Sequence, residues 1–329
     1  AIIHQKQTRL PDQRVKLYKE AVDILLRRWQ QHKQGELAPS ESLAQFLKDD
    51  TRLRPAMYRL AYTAHCAGCK NDDGAADLPR GDALVILADK KYLGDLNLAQ
   101  DFLDYVDQRA GLLVGRGGED GAPSAYSFPH RTFQEYLAGC HIAGLRDHRA
   151  MGQELWARAI EGVDWSLATQ LAVEELYHNR EDPNRVLDLA YWLREMGGLQ
   201  DAQHQRAWLW AAQQTELVGR EMVEADPPGQ NHLNQIIPAL VNLLGGSLTP
   251  IERAEAGNTL ARLGDPRPEV LTCEGMAFCE VPAGEFITGE DEEQKTLTLP
   301  GFWIGKYPVT VAQFDQFVQA GGYTNPDYW

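Results

Sequence analysis

Ser127-Phe128-Pro129-His130-Arg131-Thr132-Phe133-Gln134-Glu135-Tyr136-Leu137-Ala138 holds a strand end, a proline and a histidine at the mouth of a helix. Phe133, Tyr136, Leu137 and Cys140 recur at three and four residues, which predicts a helix with one apolar face. Thr132 and Glu135 read as a capping box, and Pro129 favours a helix start nearby. His130 is thereby expected in or just before the first turn. Backbone N–H groups lack partners there, and the helix dipole favours an anion. A histidine in that place can add a donor to a bound phosphate. It can equally cap the helix or pack locally, the commoner fate of a single histidine.

Outward from this stretch, helices dominate. Upstream, Leu10-Pro11-Asp12-x-Arg14-x-x-Leu17-Tyr18 leads into a helix on which Val15, Tyr18, Val22, Leu25 and Trp29 repeat at helical spacing. Pro39-Ser40 precedes a short helix, and Leu53 to Ala67 follows with Leu53, Met57, Leu60, Ala61 and Ala64 on one face. Asn71 to Asp77 is a polar loop, Pro79 starts a helix through Lys90, and Ala99 to Arg109 makes the next. Gly111–Val114 and Ala125–Phe128 are expected to pair as strands, with the glycine-dense run Gly115–Gly121 as the hairpin tip. Helix, helix, hairpin and the His130 helix give a winged helix. The candidate recognition helix carries Asp101, Asp104 and Asp107 against Arg109 alone, a face that a DNA groove would repel, so nucleic acid is not an expected partner.

Downstream, Gly144–Arg149 is a turn, and helices follow to about Gly264. Leu155, Ile160, Trp165, Leu171, Val173, Leu176 and Tyr177 are expected to pack the first pair. Val186, Leu189, Ala190 and Leu193 mark another; Ala207–Val218 and Leu233–Leu244 are further amphipathic runs. This reads as a solenoid-like or bundled array without a clean period. Gly264 closes the last helix and Pro266 prevents its continuation. From Met276 the texture changes to strands: Phe278–Phe286, Thr296–Leu299 and Phe302–Thr310, then a helix from Thr310 with Phe314, Phe317 and Val318.

Composition bounds the function. The 329 residues suggest two or three domains. No run approaches the ~18 apolar residues of a membrane span and no secretory signal leads the chain, so a cytoplasmic protein without a membrane partner is expected. Five cysteines without a paired framework suit a reducing compartment. His65, Cys66 and Cys69 form a lone C-x-x-C with a histidine beside it. A structural zinc site takes about four ligands and no second pair follows, which favours a buried helix end. Glu290-Asp291-Glu292-Glu293 could suggest calcium, although consecutive loop charges are usually just solvated. The net charge of −15 is uneven: residues 1–150 carry 21 basic and 20 acidic side chains, residues 151–329 carry 11 and 27. The acidic second half opposes binding to a phosphate backbone.

Phe128-x-His130-x-x-Phe133-Gln134-Glu135-Tyr136-Leu137-Ala138 resembles the winged-helix signature of the NACHT class of STAND NTPases, signalling ATPases that include the NOD-like receptors and many bacterial proteins. The resemblance implies that His130 reaches the β-phosphate of bound ADP and holds the resting, closed state. Leu10-Pro11-x-x-Arg14-x-x-Leu17-Tyr18 is similar to the segment just after the nucleotide-binding core of these proteins. The chain is therefore expected to begin after that core. No Gly-x-x-x-x-Gly-Lys-Ser/Thr occurs, so it should not hydrolyse ATP alone; ADP or ATP with magnesium would belong to the full-length parent. Val281-Pro282-x-Gly284-x-Phe286, Gly289, Phe302, Tyr307-x-Val309-Thr310 and Tyr323 resemble the opening of the formylglycine-generating-enzyme, or sulfatase-modifying-factor, domain, a C-type-lectin-like fold. Thr288 stands where methionine is common there and Val311 where asparagine is common. In that family the reactive cysteines and metal ligands lie towards the far end of the domain, so neither Cys273 nor Cys279 takes the role, and no catalytic or metal residue is assigned in this chain.

The expected fold is mainly α: a NACHT-associated helical domain at 1–70, a winged helix at 71–149, a helical array at 150–270, and the beginning of an α+β C-type-lectin-like domain at 271–329. The implied function is the regulatory and sensor part of a signalling NTPase in bacterial defence or stress signalling. A protein or small ligand would bind the last domain, and activation would bring self-oligomerisation. The alternatives are a helical regulator of a formylglycine-generating-enzyme-like oxidase acting on a cysteine or related thiol, and a scaffold insensitive to nucleotide.

Overall fold

The computed structural model describes residues 13–30, 38–69, 77–108, 111–118, 122–291 and 294–328, with the backbone alone at 29 and 30. Leu10-Pro11-Asp12, the side chain of Trp29, most of the 71–77 loop, Arg109, residues 119–121 of the glycine run, and Glu292 and Glu293 lie outside the described residues. The chain divides into two compact units, Ala1–Thr259 and Leu260–Trp329.

In the first unit, α1 (Arg14–Gln30) buries Val15, Val22, Leu25 and Leu26. α2 (Glu41–Lys48) is capped by Ser40, whose hydroxyl accepts from the Leu43 amide at 3.3 Å. α3 (Asp50–Gly68) starts three residues earlier than its apolar stripe, because Asp49 accepts from the Thr51 amide and fixes the first turn. α4 (Arg80–Leu87) stops short of the expected Lys90: the chain turns at Ala88–Leu93, and Gly94 takes a φ of 73° before Asp95 caps α5 (Leu96–Asp107). Asp95 accepts from the Leu98 amide at 2.8 Å, which starts α5 ahead of the expected Ala99.

The wing differs from expectation in register and strand number. A short strand, β1 (Leu78–Pro79), was not anticipated; it pairs with β3 (Ala125–Ser127), which pairs on its other side with β2 (Val114–Arg116), all antiparallel. β2 starts later than Gly111 because Leu112 and Leu113 are both fully buried, and two consecutive inward side chains cannot alternate as strand residues do. Asp107 accepts from the Gly115 amide at 2.6 Å, so Gly115 sits in the strand and not at the hairpin tip.

α6 (Arg131–Ala143) is buried along almost its whole length, from Gln134 through Ala143, with only its first turn and His141 less covered. A helix enclosed in this way is the centre of a packing unit. It packs against α3, α1 and α8 (Ser166–Glu174). The α8 crossing is close: a Cβ on Gly139 would stand 2.7 Å from the Ala168 carbonyl oxygen and 2.9 Å from the Ala172 nitrogen.

The array then runs through α7 (His148–Glu161), α8 with a π turn at Glu175–Asn179, α9 (Pro183–Met196), α10 (Ala202–Val218), α11 (Arg220–Ala225), α12 (Gly229–Leu243) and α13 (Pro250–Leu263). Aspartates cap α7, α9 and α10 at Asp147, Asp182 and Asp201. α10 packs on α7, α9, α11 and α12. Trp165, Leu171, Val173 and Leu176 are buried as expected, whereas Ile160 is 38% exposed and does not join that core. Arg206 and Glu252 form a buried ion pair, and Arg206 also donates to the Ala159 carbonyl at 2.8 Å.

In the second unit, α14 (Pro268–Leu271) precedes two nested antiparallel hairpins. β4 (Phe278–Val281) pairs with β7 (Phe302–Gly305), and between them β5 (Gly284–Thr288) pairs with β6 (Lys295–Leu299). α15 (Val311–Gln319) starts with a true capping box between Thr310 and Gln313. Gln313 also donates to the Glu269 and Thr272 carbonyls, at 3.1 and 3.2 Å, which ties α15 to α14.

Two outcomes follow from the packing. Gly139→Ala should lower stability by about 1–3 kcal/mol in urea unfolding, because overpacking against α8 backbone outweighs the ~1 kcal/mol gain in helix propensity. An unchanged or raised midpoint would contradict the close crossing.

The second outcome concerns pH. His232 is fully buried; its Nε2–H donates to Thr215 Oγ1 at 2.7 Å, since that hydroxyl already donates to the Ala211 carbonyl, and Arg194 faces Nδ1 at 3.4 Å. Burial, aided by the Arg194 charge, lowers its pKa from 6.5 to about 4. The unfolded chain therefore takes up a proton between those values that the folded chain refuses. Stability should be complete above pH 6.5 and fall as pH drops towards 4, by about 1–3 kcal/mol for this residue. Burial shifts His65 and His141 the same way, also to about 4. Urea unfolding across pH 4–7 should show this slope, and His232→Gln should make it shallower.

Candidate functional site

β3 delivers the chain to the start of α6. Its Tyr126 is fully buried, with its hydroxyl accepting from Arg80 at 2.7 Å, while the other arm of Arg80 pairs with Asp104 of α5 at 2.9 Å. Asp104 and Asp107, read from sequence as a repelling face, thus act as ties between α5, α4 and the sheet. Phe128 is buried, and Pro129 directs the chain out to His130.

His130 is the N-cap of α6, with φ −122° and ψ 117°, so the histidine stands just ahead of the first turn as expected. It is exposed, and its imidazole makes no capping hydrogen bond. Its ring packs edge-on against Phe133 at 5.6 Å. Phe133 in turn meets Tyr18 of α1, which also contacts Tyr136 at 5.9 Å. The expected capping box of Thr132 and Glu135 does not form. The helix starts at Arg131, one residue ahead of Thr132, and Glu135 is buried as the partner of Arg131 at 3.1 Å. Burial raises the Glu135 carboxyl, and Arg131 opposes that shift.

Beside this helix start lies a cavity of about 220 Å³. Its lining includes Arg116 and Ser127 from the sheet, Arg131 and Gln134 from α6, His65 from α3, and Asp77. His130 lies outside the lining. Arg116 Nε donates to Ser127 Oγ at 2.5 Å and stands 3.8 Å from Asp77. Arg131 also approaches Asp164 at 3.7 Å. Sequence reasoning missed Arg116 and Gln134. Gln134 carried a signal, since it sits within the motif on the apolar side of the helix. Arg116 carried none, because only the β2–β3 register brings it to Ser127.

The C-x-x-C stretch falls at the end of α3. Cys66 and Cys69 are half-buried free thiols, and Cys69 is the helix C-cap. Burial raises both thiols, Cys69 to about 11, so neither is a ready thiolate at neutral pH. His65 packs on Trp165 at 4.4 Å, and its Nε2 meets the Asp164 carbonyl at 3.2 Å. Among the described residues, no three His, Cys, Asp or Glu side chains gather as a metal site, and no helix is long and apolar enough to cross a membrane.

Two family models match the chain. Residues 14–142 match the winged helix-turn-helix domain C-terminal to NACHT, and residues 264–329 match the sulfatase-modifying factor enzyme 1-like domain. None of the curated proteins and none of the solved structures compared gives a match. The first model spans α1 through α6, so it takes in both the preceding helices and the His130 helix; the second spans the nested hairpins and α15. The chain thus carries a winged helix-turn-helix domain of the kind found C-terminal to NACHT and a stretch of a sulfatase-modifying factor enzyme 1-like domain.

Proposed function

We propose that this chain is the regulatory and sensor part of a STAND-type signalling NTPase. The observation that carries the reading is His130: an exposed imidazole at the positive end of a buried helix, not spent on capping, within a winged helix of the NACHT-associated kind. Its geometry suits a donor to an anionic oxygen. In this reading His130 contacts a phosphate of ADP held by an NTPase core upstream, and that contact favours the closed state. The bound nucleotide would supply the charge that the helix end and the imidazole recognise. Because α6 is packed on α1, α3 and α8, a movement of His130 would be carried by the whole helix and felt in the array. Ligand binding at the sulfatase-modifying-factor-like segment, or along the array, would bias the same equilibrium. A defence or stress-signalling role in bacteria, in the cytoplasm, with oligomerisation on activation, completes the proposal.

A second reading is favoured by the match at 264–329. The parent would be an oxidase of cysteine or a related thiol, with the helical part as its regulator.

For the first reading, full-length protein should co-purify with ADP, and His130→Ala should speed ADP release at least tenfold and enrich larger oligomers. Nucleotide content by chromatography and mass by light scattering check this. Equal ADP retention in the variant would remove the role given to His130. For the second, full-length protein loaded with copper should consume oxygen when given a cysteine-containing peptide. A peptide mass that stays unchanged would exclude it.

A further inference from the structure

We propose that the cavity beside the start of α6 binds a small oxyanion, a phosphate ester or a carboxylate, through Arg116, Arg131, Ser127 and Gln134, separately from any nucleotide contact of His130. The first observation is Gln134. It is 4% exposed and lines the cavity, and its side-chain amide has no hydrogen-bond partner among the described residues. The amide therefore opens onto the cavity, where an occupant can bond to it.

The second observation is the chemistry of the other walls. Ser127 is also buried, and its oxygen already accepts from Arg116 Nε, which leaves its own proton for another acceptor. That bond uses one edge of the Arg116 guanidinium; its two terminal nitrogens take no partner among the described residues. Arg131 is held by Glu135 through Nε and approaches Asp164 through Nη2, which leaves Nη1. Among the described residues, Arg116 and Arg131 bring two guanidinium groups to the cavity; Asp77 lines it beside Arg116, and Glu135 and Asp164 stand beside Arg131 without using all its nitrogens. His65 is neutral at pH 7 and donates to the Asp164 carbonyl, so it adds no charge. The unspent groups are therefore mainly donors: the outer fork of Arg116, one nitrogen of Arg131, a hydroxyl and an amide NH₂. Such a set selects an acceptor with several lone pairs and negative charge.

Size narrows the class further. The volume exceeds the ~30 Å³ share of one water but is below the ~300–1,000 Å³ of sites for drug-sized ligands. A small anion fits this range.

The test titrates the 329-residue chain with inorganic phosphate and, separately, with succinate, by calorimetry. Saturable one-site binding of at least one probe is expected. Arg116→Ala and Gln134→Leu should weaken it at least tenfold. Binding of phosphate alone assigns a phosphate ester, succinate alone a carboxylate, and both the shared chemistry. Arg116 is 61% exposed, so its variant should retain the fold even if Gln134→Leu does not, and far-UV circular dichroism checks both. The proposal is overturned if neither probe saturates, or if Arg116→Ala binds as the wild type does.

Discussion

The close crossing of α6 over α8 at Gly139 is the constraint on which the first unit depends. A helix backbone can approach another within Cβ-contact distance only where a side chain is missing, and Gly139 provides that gap against Ala168 and Ala172. The same helix is covered by α3 and α1 elsewhere. One element thereby belongs to the winged helix, to the helices that precede it, and to the array that follows. Anything that reorients α6 must repack all three sets of neighbours.

Polar groups reinforce this joint where apolar packing alone would leave it unspecific. Glu175 is buried at the π turn, where it accepts from Tyr136 of α6 at 3.2 Å and from Asn179, with Arg180 at 3.6 Å. Arg180 also donates to the Ala143 carbonyl at 2.7 Å, and Arg185 to the Leu145 carbonyl at 2.8 Å. Two cations therefore close the C-terminal end of α6, where the dipole favours them. Burial pushes the Tyr136 hydroxyl and the Cys140 thiol far up, so both stay neutral beside that carboxylate. The extra residue of the π turn lets Glu175 reach α6 while Leu176 stays in the core.

At the other end of α6 the arrangement is reversed. The N-terminal turn is open, the imidazole is exposed, and two guanidinium groups line a cavity next to it. The acids near this end each have a partner: Asp104 meets Arg80, Asp107 the Gly115 amide, Glu135 and Asp164 meet Arg131, and Asp77 stands beside Arg116. Arg116 still keeps both terminal nitrogens without a partner among the described residues. In the second unit, the polar ties of Gln313 and Thr310 hold α15 to α14, whereas both hairpins keep much of their apolar surface exposed, including Trp303 and Ile287.

Periodicity and local chemistry were enough to read the helices, the winged helix, the position of His130 and the change to strands near the end, because each depends on residues a few positions apart; the nesting of those strands came only with the pairing of distant segments. Phe133, Tyr136 and Leu137 declare a buried face, and Ser40 and Thr310 announce helix starts within one turn of themselves, whereas the cap at Asp95 went unread. The capping box at Thr132 misled for the same local reason: the motif was present, but the backbone began the helix at Arg131 and burial gave Glu135 another partner. β1, the register of β2 and the cavity were beyond local reading. Leu78 becomes a strand residue only because Tyr126 lies opposite it, and Arg116 meets Ser127 only through strand pairing. By itself the sequence determined which segments fold and which face each one hides. Tertiary structure alone decided which donors are spent and which are left over, since hydrogen-bond partners distant in the chain compete for the same groups.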